Sequence, residues 1–290
     1  MLTKETLHHI VNSFPKETIN SHVHTHLCDG RPDMTVANIA ARASEKGLKL
    51  IILTPHFHKQ VTDGETTLYT DSDEGIFEKL REEIAAYERS GGSVRFLLST
   101  EADILNTDGA MALPVSRTAR ACLDLVTPTV NYHPLLPLAA VAVTHIREVD
   151  DYHESGRYAE LEARAGGHER ILKSLYEAQT NAILNCPYPA MVGHFFISHT
   201  VPGRNYAWFG AREEDMDLML QGTEQLLAAC VKTGAMLDLT GIHFAAGVDE
   251  LKQREKDGFL YRLQKYTVDR CKELDIPYAF GTDAHGLHGI

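Results

Sequence analysis

Near the N-terminus the chain reads Asn20-Ser21-His22-Val23-His24-Thr25-His26-Leu27-Cys28-Asp29-Gly30, directly after the strand-forming pair Thr18-Ile19. Side chains at positions i and i+2 of a β-strand leave the same face, so His22 and His24 are predicted to point together, about 7 Å apart along the strand. Two imidazoles held in this way can share one metal ion. Asp29-Gly30 is a typical turn pair and offers a carboxylate nearby.

The far end of the chain repeats this arrangement. Tyr278-Ala279-Phe280-Gly281-Thr282-Asp283-Ala284-His285 is predicted to be a strand that ends in a second period-2 pair, Asp283 and His285. If the sheet closes into a barrel, the first and last strands are neighbours and the two pairs meet. We therefore expect a metal site that the two ends of the chain build together.

The strand-forming and helix-forming segments alternate. Helices are predicted over about 3–14, 35–46, 73–90, 115–121, 167–184, 212–233 and 249–274, with apolar strand runs between them. About seven strand-then-helix units predict a parallel sheet with helices outside, and a closed α/β barrel carries its site at the C-terminal ends of the strands. Those ends hold His22, His24, His56, Glu101, His133, His194, Asp283 and His285.

Length and composition are consistent with one such barrel. Although 290 residues exceed the usual domain size, α/β barrels often reach this length, and a hydrophobic fraction of 43% is enough for a large core. We therefore expect residues 1–290 to form a single domain with an N-terminal helix at about 3–14. Residues 135–165 contain prolines and Gly156 and are predicted to form a long loop over the site.

Charge and cysteine content exclude several classes of protein. The net charge of −12 argues against a nucleic-acid partner, because phosphate backbones are bound by basic surfaces, but it allows a small phosphorylated substrate. The five cysteines form no C-x-x-C pair, which is typical of reduced thiols in a cytoplasmic protein. No signal peptide is recognisable, and no run of 18 apolar residues occurs, so no membrane association is expected.

The number of ligands predicts more than one metal ion. Nine nitrogen and oxygen donors, the eight strand-end residues and Asp29, are too many for one tetrahedral site and suit two or three divalent ions. Glu101 is the natural bridging carboxylate. Because no thiolate takes part, zinc, manganese and iron all remain open. Adjacent metals supply a metal-bound hydroxide near neutral pH and clamp attacking and leaving oxygens, which is what phosphoester hydrolysis requires.

These motifs resemble those of the polymerase and histidinol phosphatase (PHP) family. His22-x-His24-Thr25 with Asp29-Gly30 is similar to its first motif, Leu53-Thr54-Pro55-His56 to its second, and Gly281-Thr282-Asp283-Ala284-His285 to its last. The resemblance spans about residues 17–288 and implies a distorted (β/α)7 TIM-like barrel with three metals. It implies that these are held by three ligand sets: His22, His24, Glu101 and Asp283; Glu101, His133 and His194; Asp29, His56 and His285.

The sequence departs from the family pattern in places, and several further residues are candidates for catalysis or substrate binding. Asn20 stands where the family often has an acidic residue, and the predicted loop is long for a small phosphatase of this kind. Glu101, Asp283 and His285 are the candidate catalytic residues. Arg204 and Arg147 are candidates for binding a phosphate through two hydrogen bonds each. His243 is a further candidate for substrate binding or proton donation.

The leading hypothesis is a metal-dependent hydrolase of a small phosphate ester, either a monoester such as histidinol phosphate or a small diester. One alternative is an amidohydrolase-type metal enzyme, which also opens with H-x-H but usually needs a strand-end lysine. Lys173 is predicted to be helical instead. The other alternative is a metal-binding scaffold without turnover. The residues leave the substrate, the metal and the oligomeric state open.

Overall fold

The computed structural model describes residues 1–28, 30–57, 74–131, 134–135, 157–193, 213–240 and 259–290. Its helices are α1 (Lys4–Asn12), α2 (Val36–Glu45), α3 (Gly75–Arg89), α4 (Arg117–Cys122), α5 (Arg157–Ala165), α6 (His168–Asn185), α7 (Met216–Thr233) and α8 (Phe259–Glu273). Its strands are β1 (Ile19–Val23), β2 (Leu50–Leu53), β3 (His56–Phe57), β4 (Arg95–Leu98), β5 (Glu101–Asp103), β6 (Thr127–Thr129), β7 (Met191–Val192), β8 (Met236–Asp238) and β9 (Tyr278–Ala279).

The strands pair in parallel, as the alternation of strands and helices predicts. They form three three-stranded sheets with the orders β1-β2-β4, β3-β5-β6 and β7-β8-β9. Polar breaks at Thr54-Pro55 and Ser99-Thr100 separate β2 from β3 and β4 from β5. Parallel strands need crossover connections, and helices supply them, for example α2 between β1 and β2, α3 between β2 and β4, and α7 between β7 and β8. The prediction of a mixed α/β fold with parallel strands is confirmed.

The first and last strands are neighbours, as the two period-2 pairs predict. The backbone N–H of Ser21 donates to the carbonyl of Phe280 at 2.9 Å, and that of His24 donates to the carbonyl of Ala284 at 3.0 Å. These bonds join the sheet that contains β1 to the sheet that contains β9. The two ends of the chain therefore meet where the histidine and aspartate pairs lie.

Further backbone hydrogen bonds join the other sheet edges. The N–H of Asp124, just before β6, donates to the carbonyl of Leu98 in β4 at 2.7 Å. Between β6 and β7, the N–H of Met191 donates to the carbonyl of Val126 at 2.9 Å. Each of the three sheets is thus hydrogen-bonded to the other two.

The α1 helix packs against an apolar layer made by the strands. Thr3 caps it, because its hydroxyl accepts a hydrogen bond from the N–H of Thr6. Its buried residues are Leu7, Ile10 and Val11. They form one hydrophobic cluster with residues in or next to the strands: Ile19, Leu50, Ile52, Leu97, Leu125, Met191, Met236 and Ala279. The predicted helix at about 3–14 is therefore present, with slightly shorter bounds, and it closes one side of the strand layer.

The prediction of a loop over 135–165 is wrong at its end. Residues 157–165 form α5, a run of strong helix formers, Arg-Tyr-Ala-Glu-Leu-Glu-Ala-Arg-Ala. The prolines and Gly156 that indicated a loop all precede this helix, and Gly166 and Gly167 follow it at φ 86° and 112°. Residues 136–156 lie outside the described residues, as do residues 249–258 of the last predicted helix. Within the described ranges, no helix is both long enough and apolar enough to cross a membrane.

Candidate metal centre

An irregularity in β1 sets up the site. Asn20 and Val23 of β1 align with Ile51 and Leu53 of β2, so three steps along β1 face two steps along β2. One extra residue on one strand is a β-bulge, which locally changes the direction of side chains. Strict alternation places Ser21 and His22 on opposite faces, but at this bulge both side chains reach the same buried carboxylate.

That carboxylate belongs to Asp238, the last residue of β8. The Ser21 hydroxyl donates to its Oδ1 at 2.7 Å, and Nδ1 of His22 lies 2.8 Å from its Oδ2. The Thr240 hydroxyl also donates to Oδ2. The sequence predicts a role for His243 after this strand and does not predict one for Asp238. The signal that marks it is a charged residue inside the apolar run Ala235–Leu239.

His22 and His24 converge on two carboxylates. Their Nε2 atoms lie 3.2 and 3.4 Å from Oε2 of Glu101, and 3.7 and 2.8 Å from Oδ1 of Asp283. Both histidines and Glu101 are fully buried. The two pairs that were predicted from opposite ends of the sequence therefore meet around Glu101 of β5.

His56 and His285 complete the described cluster. Nδ1 of His56 lies 3.1 Å from Oε2 of Glu101. The ring of His285 stacks on that of His24 with centroids 3.9 Å apart, while the His56 ring is 4.5 Å from His24. The structure groups His56 and His285 with His24; Asp29, which the family resemblance adds to these two residues, lies outside the described residues.

The donor set fits divalent metal ions. His24, His56 and His285 form one group, and His22, His24 and Asp283 form another, in which the ligand atoms lie within 4.8 Å of one another. Imidazole nitrogens and carboxylate oxygens are ligands for zinc, manganese and iron. His24 belongs to both groups, and Oε2 of Glu101 lies within hydrogen-bonding distance of histidines in both.

Asp283 reaches the cluster from a strained backbone. Its φ of 55° lies in the left-handed region, which non-glycine residues rarely adopt. The N–H of Asp283 donates to the carbonyl of His22 at 3.0 Å. Tertiary contacts therefore hold this conformation, and strain of this kind is often found at functional sites.

The second oxygen of Glu101 is held by an amide. Nδ2 of Asn131 donates to Oε1 of Glu101 at 2.9 Å and to Oδ1 of Asp103 at 2.8 Å. All three residues are buried. One amide group therefore lies between two buried carboxylates and donates to both. Oε2 of Glu101 remains directed at the histidines.

Asn20, the departure from the family pattern, has a structural role here. Its Nδ2 donates to the Thr282 hydroxyl at 2.8 Å, and its Oδ1 accepts from the backbone N–H groups of His22 and Thr282 at 3.2 and 3.3 Å. The side chain thus ties β1 to the segment that carries Asp283. An amide performs this task well because it both donates and accepts.

The charges in the cluster alter the protonation of His22. Burial disfavours the imidazolium form, but the nearby carboxylates of Glu101 and Asp238 more than offset this and raise the pKa of His22 to about 10. A positive charge is thus strongly favoured beside these carboxylates. A bound cation satisfies the same electrostatic requirement.

Six predicted site residues lie outside the described residues. They are three metal-ligand candidates and three substrate-binding candidates: Asp29, His133, His194, Arg204, Arg147 and His243. The described structure therefore brings together His22, His24, His56, Glu101, Asp283 and His285.

Comparison with known proteins identifies the fold. No family model matches the sequence, and the search of curated proteins found no match. Among solved structures, a candidate histidinol phosphatase, HisK, from Listeria monocytogenes is 16% identical with a TM-score of 0.58, covering 94% of this chain and 97% of that one. The chain has the fold of that protein.

A second solved structure has the same fold. Histidinol phosphate phosphatase (HISK) from Lactococcus lactis is 12% identical with a TM-score of 0.54, and the match covers 93% of this chain and 87% of that one. It was crystallised with zinc, L-histidinol and phosphate. At these identities the similarity establishes a shared fold along nearly the whole chain.

Proposed function

We propose that this protein is a divalent-metal-dependent hydrolase of small phosphate esters. The observation that carries the proposal is the convergence of four imidazoles, those of His22, His24, His56 and His285, on the carboxylates of Glu101 and Asp283. Two of these histidines and Glu101 are fully buried, an environment in which such groups are rare without a partner charge or metal.

The proposed architecture is a single distorted (β/α)7 barrel. Its support is the set of hydrogen bonds between sheet edges: β4 to the β6 segment, β6 to β7, and the β9 segment to β1. In this architecture β2 and β3 together form one interrupted barrel strand, and β4 and β5 form another, so that the nine short strands make seven barrel strands. In such a barrel the cluster lies at the C-terminal ends of the strands, where active sites occur.

Two or three ions are proposed. His22, His24, Glu101 and Asp283 would hold one, and His56 and His285 would take part in another. The family resemblance adds Asp29, His133 and His194. Bound divalent ions would supply activated water and neutralise charge on a phosphate.

The chain's own residues have distinct roles in this proposal. Oε2 of Glu101 faces the histidines because its other oxygen, Oε1, accepts a hydrogen bond from the Asn131 amide. The side chain of His285 is 40% exposed, while those of His22 and His24 are fully buried. His285 therefore marks the side of the site open to a substrate. In that position it is placed to contact a phosphate ester or to move a proton.

The first substrate to test is histidinol phosphate, because the Lactococcus lactis protein of the same fold was crystallised with L-histidinol and phosphate. The net charge of −12 favours a compact ester over a polynucleotide. Arg204, Arg147 and His243 remain the proposed phosphate-binding residues. All five cysteines lie in the described residues and none of them forms a disulfide there, which supports the proposal of a reducing, cytoplasmic location.

The amidohydrolase alternative loses support. Lys173 lies on α6 and forms an exposed ion pair with Glu169, so it does not serve as a metal-bridging lysine at a strand end. Phosphoester chemistry remains the function that this donor set supports best.

The test begins with chelator-treated protein, reloaded separately with zinc, manganese and iron. Phosphate release is then measured on histidinol phosphate, sugar phosphates, nucleotides, a small aryl phosphodiester and duplex DNA. We expect more than one metal per chain and metal-dependent turnover of at least one small ester. A preparation that cannot be loaded, or that degrades only DNA, contradicts the proposal.

Glu101→Gln provides the matched variant, since it keeps the shape but removes the charge that faces three histidines. It should lower metal content and abolish most turnover. Asp124→Asn is the control: Asp124 is another mostly buried carboxylate, but it binds Arg81 and the N–H of Leu98 instead of the cluster. Its metal content and turnover should match the wild type.

A further inference from the structure

Asp238 is enclosed by hydrogen-bond donors. It is fully buried at the end of β8, and three different side chains reach its carboxylate: Ser21 on Oδ1, and His22 and Thr240 on Oδ2. An ionised carboxylate accepts hydrogen bonds through both of its oxygens. In that form it has no hydrogen to donate and acts only as an acceptor.

This arrangement determines which nitrogen of His22 faces the cluster. Because Asp238 only accepts, the hydrogen of a neutral His22 ring lies on Nδ1. The lone pair then lies on Nε2, which is 3.2 Å from Oε2 of Glu101 and 3.7 Å from Oδ1 of Asp283. A metal ligand needs that lone pair, and a histidine ligand commonly donates its other N–H to a carboxylate.

Packing leaves Asp238 little room to turn. A Cβ on Gly281 would lie 2.3 Å from Oδ1 of Asp238 and 2.8 Å from Cβ of His22. The bulge in β1 supplies the other half of the arrangement, since it lets consecutive residues, Ser21 and His22, reach one carboxylate. The carboxylate and the ring are therefore fixed relative to each other by the backbone as well as by hydrogen bonds.

We propose that Asp238 is a positioning residue that fixes the tautomer and orientation of His22, so that Nε2 is presented to a metal ion. This role rests on the proposed metal function, because His22 must be a ligand for it to matter. Asp238 itself acts through His22 and is not part of either group of metal-ligating atoms.

The test is the zinc affinity of purified full-length protein, measured by competition with a chromophoric chelator. Asp238→Ala should weaken zinc binding on the order of 10- to 100-fold. Asp238→Asn should weaken it less, because an amide oxygen can still accept from Nδ1 while Nδ2 donates to Ser21. Asp124→Asn removes a carboxylate whose side-chain partners in the described residues are Arg81 and the N–H of Leu98, and its zinc affinity should equal that of the wild type.

A second measurement does not depend on any variant at Asp238. Long-range ¹H–¹⁵N NMR of the zinc-loaded wild type reports which ring nitrogen carries hydrogen, and His22→Gln identifies the signal. We expect hydrogen on Nδ1 of His22. This measurement decides the question even if the Asp238 variants fail to fold.

The outcomes separate the two proposals. Wild-type protein that binds no zinc, manganese or iron contradicts the proposed function itself. Wild-type protein that binds zinc, together with folded Asp238→Ala of unchanged affinity or hydrogen on Nε2 of His22, overturns the role of Asp238 and leaves the metal site standing.

Discussion

The Nε2 atom of His24 lies 2.8 Å from Oδ1 of Asp283, although 259 positions separate the two residues in the chain. His24 directly follows the first strand, β1, and Asp283 lies after the last strand, β9. The contact depends on the left-handed backbone of Asp283, at φ 55°. Two segments remote in sequence thus build the part of the candidate metal centre where His22, His24 and Asp283 meet.

This strained backbone leads to a stability prediction. Asp283→Gly and Asp283→Ala both remove the carboxylate and should both weaken zinc binding. In metal-free protein the glycine variant should be more stable than the alanine variant by about 1 kcal/mol, because a Cβ is costly in the left-handed region. Urea unfolding in the presence of chelator measures the difference.

Asp275 is the matched control, since it is an exposed aspartate with nearly the same φ, 54°. Asp275→Gly should likewise be more stable than Asp275→Ala, while zinc affinity stays at the wild-type value. Equal stabilities for Asp283→Gly and Asp283→Ala would show that the backbone relaxes and stores no strain.

A second prediction concerns Asn131, whose amide donates to both Glu101 and Asp103. Asn131→Ala should lower the free energy of unfolding by about 1–3 kcal/mol, because it leaves buried carboxylate oxygens without this donor. It should also weaken zinc binding, since Glu101 loses the contact that orients it. Thermal unfolding and chelator competition measure the two effects.

Asn38 offers the comparison for Asn131. Its Nδ2 donates to the carbonyl of Asp33 at 2.9 Å in an exposed position, so Asn38→Ala should change stability by about 0.5 kcal/mol or less. If the two alanine variants behave alike, the Asn131 amide has no special role between the carboxylates.

Gly281 is predicted to be essential for packing beside Asp238. An added methyl group would lie 2.3 Å from Oδ1 of Asp238, so Gly281→Ala should destabilise the protein by about 1–3 kcal/mol and weaken zinc binding. Gly222→Ala is the control: its methyl group would lie 2.4 Å from Cγ of Tyr176, on the helices away from the cluster. It should cost similar stability and leave zinc affinity unchanged.

The buried thiols predict a dependence on pH. Burial raises the pKa of Cys271 to about 12, from 9.0 for a free thiol, and raises the pKa of Cys230 as well. Between pH 9.0 and about 12, the thiol of Cys271 is deprotonated in the unfolded chain but stays protonated in the folded chain. The free energy of unfolding should therefore fall as pH rises above about 9, on the order of 1 kcal/mol per pH unit for each thiol.

Urea unfolding from pH 8 to 10 measures this slope, and Cys271→Ala should reduce it. Alkylation at pH 8 offers a separate check, because Cys230 and Cys271 should react only after unfolding. Rapid modification of both thiols in the native protein would contradict the burial that raises their pKa.

The local features of the fold could be predicted from the sequence. Within the described residues, apolar periodicity located seven of the eight helices and the longer strands to within a few residues, and the period-2 pairs His22/His24 and Asp283/His285 indicated four residues of the cluster. These features depend on the chain's own geometry, since the helical and extended repeats determine which neighbouring side chains share a face. The helix α5 was not predicted, because the loop indicated by the prolines and Gly156 was extended to residue 165 and so included the residues of this helix.

The structure adds what depends on contacts between distant strands. The β1 bulge, which brings Ser21 and His22 to one carboxylate, follows from the register between β1 and β2. Asp238 reads in sequence as one charge inside an apolar strand, and its contact with His22 spans 216 positions. Such contacts depend on strand pairing, on close packing at Gly281 and on the strained backbone of Asp283. They could not be predicted from the sequence, because the spacing of adjacent residues does not determine which distant strands pair.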